Sequence, residues 1–125
     1  MLSAFFIALG VGRVLLGMSP FLLAQISARL LGVPPSHDNA TGRLMARLFG
    51  VRDVGLGVLT FWAVAHPEML PFVAVFNGCT DLGDVGAAAI PLVRREQIDR
   101  VAWRTMTMAG SASLVWAFAF VMVVW

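Results

Sequence analysis

One cysteine, no lysine and no tyrosine are the plainest gaps in this sequence of 125 residues. The single thiol, Cys79, excludes an intrachain disulfide. Its place in an apolar run assigns it to packing and not to metal binding or nucleophilic attack. All the basic side chains other than histidine are arginine, which reads as a bias of the coding genome and not as chemistry. Charge is scarce as well. Only 13% of residues are Asp, Glu, Lys or Arg against 59% hydrophobic, and the mean hydropathy is +0.85. That leaves too little polar surface to cover a soluble domain, so lipid must cover much of this one. The formal net charge of +2 and the pI near 10.0 do not make a nucleic-acid footprint. The arginines flank apolar segments instead of clustering on one exposed face, and no nucleic-acid partner is expected.

Chemical motifs are equally sparse. No paired His or Cys spacing exists, and His37 and His66 fall on opposite sides of the membrane in the topology below, so no metal site and no cofactor is expected. No nucleophile elbow, phosphate-cradling glycine loop or dinucleotide fingerprint appears. Gly55, Gly57, Gly83 and Gly86 read as helix-packing positions.

What is present is a series of four apolar stretches, each near the length of about 20 residues that a membrane-crossing helix needs. They cover about residues 2–18, 44–65, 69–93 and 105–125. The first is slightly short and extends through Ser19 and Pro20 if the proline kinks it. His66-Pro67-Glu68 leaves room only for a tight helical hairpin, with proline followed by an acid suited to a helix first turn. Residues 21–32, FLLAQISARLLG, are either a short amphipathic helix lying in the membrane interface or an extension of the first helix beyond it. Gly32-Val-Pro-Pro-Ser36 ends that segment, and Ser36, Asp38, Asn39 and Thr41 offer caps for the next helix. The expected fold is therefore all-α, a four-helix transmembrane bundle in one domain spanning residues 1–125, with the lipid bilayer as its first partner.

Arginine counts orient it. Arg29, Arg43 and Arg47 lie in the connection between the first and second spans and the first turn of the second, and Arg94, Arg95, Arg100 and Arg104 between the third and fourth, whereas the second connection and both ends carry none. The positive-inside rule then places both termini outside in a multi-pass membrane protein, in the inner membrane if the cell is bacterial. The lack of a basic residue before Arg13 fits this and argues against a signal peptide. Trp62 and Trp125 fall near the outer interface and Trp103 near the inner one.

Five ionisable residues fall inside these spans: Arg13, Arg52, Asp53, Asp81 and Asp84. Charge at such depth is costly and marks a functional site by default. Asn77, Asp81 and Asp84 stand at i, i+4 and i+7, on one face of the third span, which must look into the bundle or a cavity. Asp53, Gly57 and Thr60 repeat the spacing on the second span, with Arg52 about 100° around from Asp53. Arg13 stands between Gly10 and Gly17, which permit close approach of a neighbouring helix or open a groove beside the guanidinium. A rise of about 1.5 Å per residue puts Asp53 and Asp84 level with each other, each roughly 13 Å deep, with Arg13 nearer the cytoplasm.

The runs GRLMARLFGVRDVGLGVLTF and LGVGRVLLG, with the pair Asp81 and Asp84, resemble the DUF4267 family of small four-helix integral membrane proteins. The resemblance covers most of the chain, and RLFGVRD is its most specific part. It implies a four-span protein whose polar residues match at Arg13, Arg52, Asp53, Asp81 and Asp84, and it carries no activity with it.

The first functional reading is a polar intramembrane pocket that binds or transforms a small lipophilic molecule. Arg13 and Arg52, with Asn77, would hold an anionic or carbonyl group. One of Asp53, Asp81 and Asp84 would be general acid or base if the protein is an enzyme, which the sequence leaves open. The second reading is a non-catalytic accessory or scaffold subunit, in a homo-oligomer or beside a membrane partner, with Ala109-Gly-Ser-Ala-Ser113 as a packing face. A proton or ion path ranks last, because four short helices leave little room for a pore.

Overall fold

Breaks in the helical ladder, more than the apolar runs, decide where the elements begin and end. The computed structural model describes every residue from Met1 to Trp125 and contains no strand. Its first helix, α1 (Leu2–Leu22), runs through Pro20. A proline has no N–H for the carbonyl one turn back. The Ser19 hydroxyl takes its place and donates to the Leu16 carbonyl at 2.8 Å. The chain breaks at Leu23, whose backbone leaves the helical region, and restarts as α2 (Ala24–Leu31). Residues 21–32 are thus divided between the end of α1 and a separate short helix. α2 buries no residue, and its C-terminus closes with left-handed Gly32 and a bond from the Val33 N–H to the Ala28 carbonyl.

A short 3-10 turn, Pro35–His37, leads to α3 (Ala40–Ala65). The helix begins ahead of its apolar run because Asn39 caps it, accepting from the Gly42 N–H at 2.9 Å. Asp38 pairs with Arg43 just outside at 2.8 Å, and that hydrogen bond holds its carboxyl below the usual range. A 3-10 turn at Pro67–Met69 makes the tight hairpin into α4 (Leu70–Arg94). α5 (Asp99–Val124) starts before its apolar run, with Asp99 at the positive end of the helix dipole.

Two antiparallel pairs result. α1 lies along α3 so closely that a Cβ on Gly17 would sit 2.5 Å from the Gly50 carbonyl oxygen, and one on Gly57 would sit 2.8 Å from the Gly10 carbonyl. α4 lies along α5, with Gly78 against Trp116 and Ser113. Between the pairs the helices meet mainly at one end, that of the α3–α4 turn, where Phe6, Ala63, Leu70, Val73, Ala74, Trp116 and Ala119 form the apolar core. Gly55, Gly83 and Gly86 face open space, which corrects their reading as packing positions; of that group only Gly57 touches a neighbouring helix. Cys79 is likewise exposed and not packed, because it lies about 100° around α4 from Gly78, which faces α5.

The polarity is inverted relative to a soluble protein. Arg13, Thr60, Asn77, Asp81 and Ser113 are buried, while large apolar side chains such as Leu15, Phe49, Val58, Phe72, Leu82 and Leu114 are exposed. α1, α3 and α5 are long and apolar enough to cross a membrane. α4 is comparably long but, with Asn77, Asp81 and Asp84 along it, is not one of those three.

The glycine contacts are testable. Gly50→Ala drives a methyl group into the backbone of α1, which cannot move aside, and is expected to cost about 1–3 kcal/mol. Gly83→Ala points into open space and should be neutral or stabilising by up to about 1 kcal/mol. Unfolding in mixed micelles distinguishes the two, and equal losses would refute the close approach of α1 and α3.

Candidate functional site: an ion network between two helix pairs

The five charged residues singled out in the sequence meet at the seam between the α1–α3 pair and the α4–α5 pair. Arg13 on α1 reaches across to α4, where its Nη2 donates to Asp81 Oδ2 at 2.6 Å, and its Nη1 donates to Asp53 Oδ1 on α3 at 3.3 Å. Arg52 on α3 makes a two-pronged contact with Asp84 on α4, both bonds at 2.7 Å, and touches Asp53 Oδ1 at 3.3 Å. Asp53 therefore joins the two arginines into one network. The fork of a guanidinium fits a carboxylate in this parallel geometry, which fixes orientation as well as distance.

Exposure is graded across the network. The Arg13 and Asp81 side chains are 8% and 3% exposed, Asp53 and Asp84 19% and 23%, and Arg52 32%. One end is sealed and the other opens to the surface. At the sealed end the Arg13 guanidinium lies 5.8 Å over the Trp116 ring, and at the open end Arg52 lies 5.3 Å over Phe49. Both are within the range of cation–π attraction. The side chains of Met45, Leu48, Phe49 and Arg52 line an open groove of about 310 Å³ along α3, apolar except for the guanidinium.

Neither arginine is free. Each is matched by at least one carboxylate at close range, so the sequence expectation that Arg13 and Arg52 stand ready for an anionic group meets an arrangement in which acids already hold them. Three carboxylates face two guanidinium groups, which leaves one negative charge in surplus if all are ionised. Asp53 is the least firmly held, since both of its contacts are the long ones and both fall on Oδ1. The three carboxylates do not form a metal-ligand set.

Asn77 is wholly buried one turn along α4 from Asp81, but it bonds its own helix, donating to the Val73 carbonyl at 3.0 Å. Its Oδ1 and the Arg52 Nε are buried and without a partner. Thr60 is buried too and donates to the Leu56 carbonyl. Arg13 sits level with Asp53 and Asp81 and not nearer one end, because α1 continues to Leu22 instead of stopping at Met18. Sequence reasoning missed Trp116 and Phe49 as the rings over the two arginines. Phe49 lies three residues before Arg52, a spacing that could have been found, whereas Trp116 comes from a distant helix. No family model matches the chain, and no curated protein or solved structure does either.

Removing one partner from a buried pair strands the other charge. Arg13→Leu, at the sealed end, is expected to cost about 3–5 kcal/mol. Arg52→Leu should cost less, because Asp84 and Asp53 keep some contact with solvent or headgroups. In a double-mutant cycle with Asp84→Leu the coupling to Arg52 should be about 0.5–3 kcal/mol. Strictly additive losses would show that the pair does not interact.

Proposed function

We propose that the protein is a four-span membrane protein whose ion network forms a polar intramembrane site for a small lipophilic molecule bearing a cationic head. The observation that carries this reading is Asp53. It is the surplus carboxylate, with its Oδ2 outside both arginine contacts, and its neighbour Arg52 stands at the end of the apolar groove on α3. An apolar tail would lie along Met45, Leu48 and Phe49 while the head meets the network. An amine would restore the charge balance that three acids and two arginines leave open. Asp81 and Asp84 then serve to hold Arg13 and Arg52 in place.

Membership of α4 among the spans is supported by how it is turned. Asn77 and Asp81 are buried, whereas Phe72, Val75, Phe76, Leu82, Ile90 and Val93 are exposed, as a helix in lipid with a polar inner face requires. With four spans both termini lie outside and the arginine-rich connections inside. A fluorescent reporter that matures only in the cytoplasm should stay dark when fused after Trp125. A bright fusion would invert this topology.

A scaffold role is the second reading, and one observation favours it. Arg13–Asp81 and Arg52–Asp84 link α1 and α3 to α4 with short bonds and no added ligand. Octylamine, octanol and octanoate, applied to the protein in nanodiscs, separate the two. If the network takes a cationic head, octylamine alone should raise the melting temperature by several degrees, and Asp53→Asn should abolish that shift. Equal shifts from all three compounds, or an undiminished amine response in Asp53→Asn, would leave the scaffold.

A further inference from the structure

We propose that the cleft between α2 and α5 is a second site, separate from the ion network, and that it holds one anionic phospholipid of the surrounding bilayer. Arg104 on α5 reaches across to the end of α2, where its Nη1 donates to the carbonyls of Leu30 at 2.6 Å and Arg29 at 3.2 Å. Those carbonyls are the negative end of the helix, and the guanidinium is the natural partner for them. The clamp fixes Arg104 in place and leaves its Nε and Nη2 without a protein acceptor. Arg100 is drawn to the same spot. A Cβ on left-handed Gly32 would meet its Cγ and Cδ at 2.9 Å, so the two arginines flank the end of α2 together.

Beside the clamp, Leu30, Trp103, Arg104, Thr107 and Met108 line a cleft of about 270 Å³. Its charged rim and apolar floor match the two parts of a phospholipid. The phosphate meets Arg104 and Arg100, the glycerol region lies by the exposed Trp103 ring, and an acyl chain follows Met108 toward the middle of α5. Charge selects the headgroup. This end of the molecule carries Arg29, Arg43, Arg47, Arg94, Arg95, Arg100 and Arg104 against only Asp38, Glu96 and Asp99, one of which, Asp38, is already paired with Arg43. A zwitterionic headgroup would bring its own cation to this basic rim, and an anionic one would not.

The test uses the whole protein in phosphatidylcholine vesicles, with brominated-chain phosphatidylglycerol or brominated-chain phosphatidylcholine added as a quencher. Trp103 is read as the difference between the wild type and Trp103→Phe. The anionic quencher should half-quench Trp103 at a mole fraction about five times lower than the zwitterionic one. Arg104→Gln should remove this preference. Met108→Phe, which fills the cleft and leaves the clamp intact, should remove it as well, and it decides the matter if loss of Arg104 loosens α2. Arg47→Gln, on α3 and away from the cleft, should keep it. Equal quenching by the two lipids, a preference that survives Met108→Phe, or an equal loss in Arg47→Gln would overturn the site. The inference rests on the membrane reading, but the two fail differently. A chain that does not incorporate into vesicles refutes that reading, whereas an incorporated chain without lipid preference refutes only this site.

Discussion

The α1–α3 pair is built on backbone contact and the α4–α5 pair on side-chain packing, but what joins the two across the middle of the molecule is the reach of two arginine side chains. Phe6, Ala63, Leu70, Val73, Ala74, Trp116 and Ala119 pin the pairs together at the α3–α4 end. Beyond that core, Arg13–Asp81 and Arg52–Asp84 span the gap. The energetic return is modest. Polar contacts between helices in a membrane average about 0.6 kcal/mol, because the separated helices also find partners for their charges. The loss on breaking one is larger, since a stranded charge in lipid has no water to fall back on. The network therefore fixes which faces of α3 and α4 meet more than it holds them together.

The α1–α3 pair is specified in a different way. In lipid there is no hydrophobic drive to bring helices together, so packing must come from close approach. Gly10 and Gly17 on α1 meet Gly57 and Gly50 on α3, each helix carrying its two glycines seven residues apart on one face. That register carries Arg13 to the level of Asp53 and sets its guanidinium toward α4. The geometry of the charged site is inherited from a packing interface whose closest contacts are glycine backbone. A change at Gly50 would disturb the network without touching any of its members.

Much of this was legible in the sequence. The apolar runs placed the four long helices to within four residues at every end but the start of α5, which lies six residues earlier than its apolar run, and the i, i+4, i+7 spacing on α4 marked Asp81 as inward-facing. The five charged residues were singled out because they interrupt apolar runs, and they do meet, although Arg13 sits level with Asp53 and not nearer one end as residue counting had it. Three features were not legible, each for a physical reason. Helix ends are set by caps and backbone breaks and not by hydropathy, so the break at Leu23 went unseen, and of the four caps the sequence offered for α3 only the structure shows that Asn39 is the one used. Glycine permits packing without requiring it, and Gly55, Gly83 and Gly86 are exposed although their spacing resembles that of the packed positions. Partner choice needs three dimensions. Nothing along the chain says that Arg104 will cap a helix more than seventy residues earlier, or that Trp116 will lie over Arg13.

The order of residues along the chain bears on how such a structure can assemble. Each aspartate at the centre of a spanning helix costs about 2.5–3.5 kcal/mol on insertion scales, whereas each Leu, Ile, Phe or Val returns about 0.3–0.6. The aspartates Asp81 and Asp84 thus cost roughly 5–7 kcal/mol, and the ten Leu, Ile, Phe and Val residues of α4 return roughly 3–6. Taken alone, α4 is marginal as a membrane segment. Arg13 and Arg52 lie on α1 and α3, which precede it and are apolar enough to cross without help. On the four-span reading proposed above, α4 follows with its counter-charges already in place, and the cost of burying its carboxylates falls as each meets a guanidinium. The acids of α4 are then both the reason that it cannot stand alone and the reason that it docks with one face and no other.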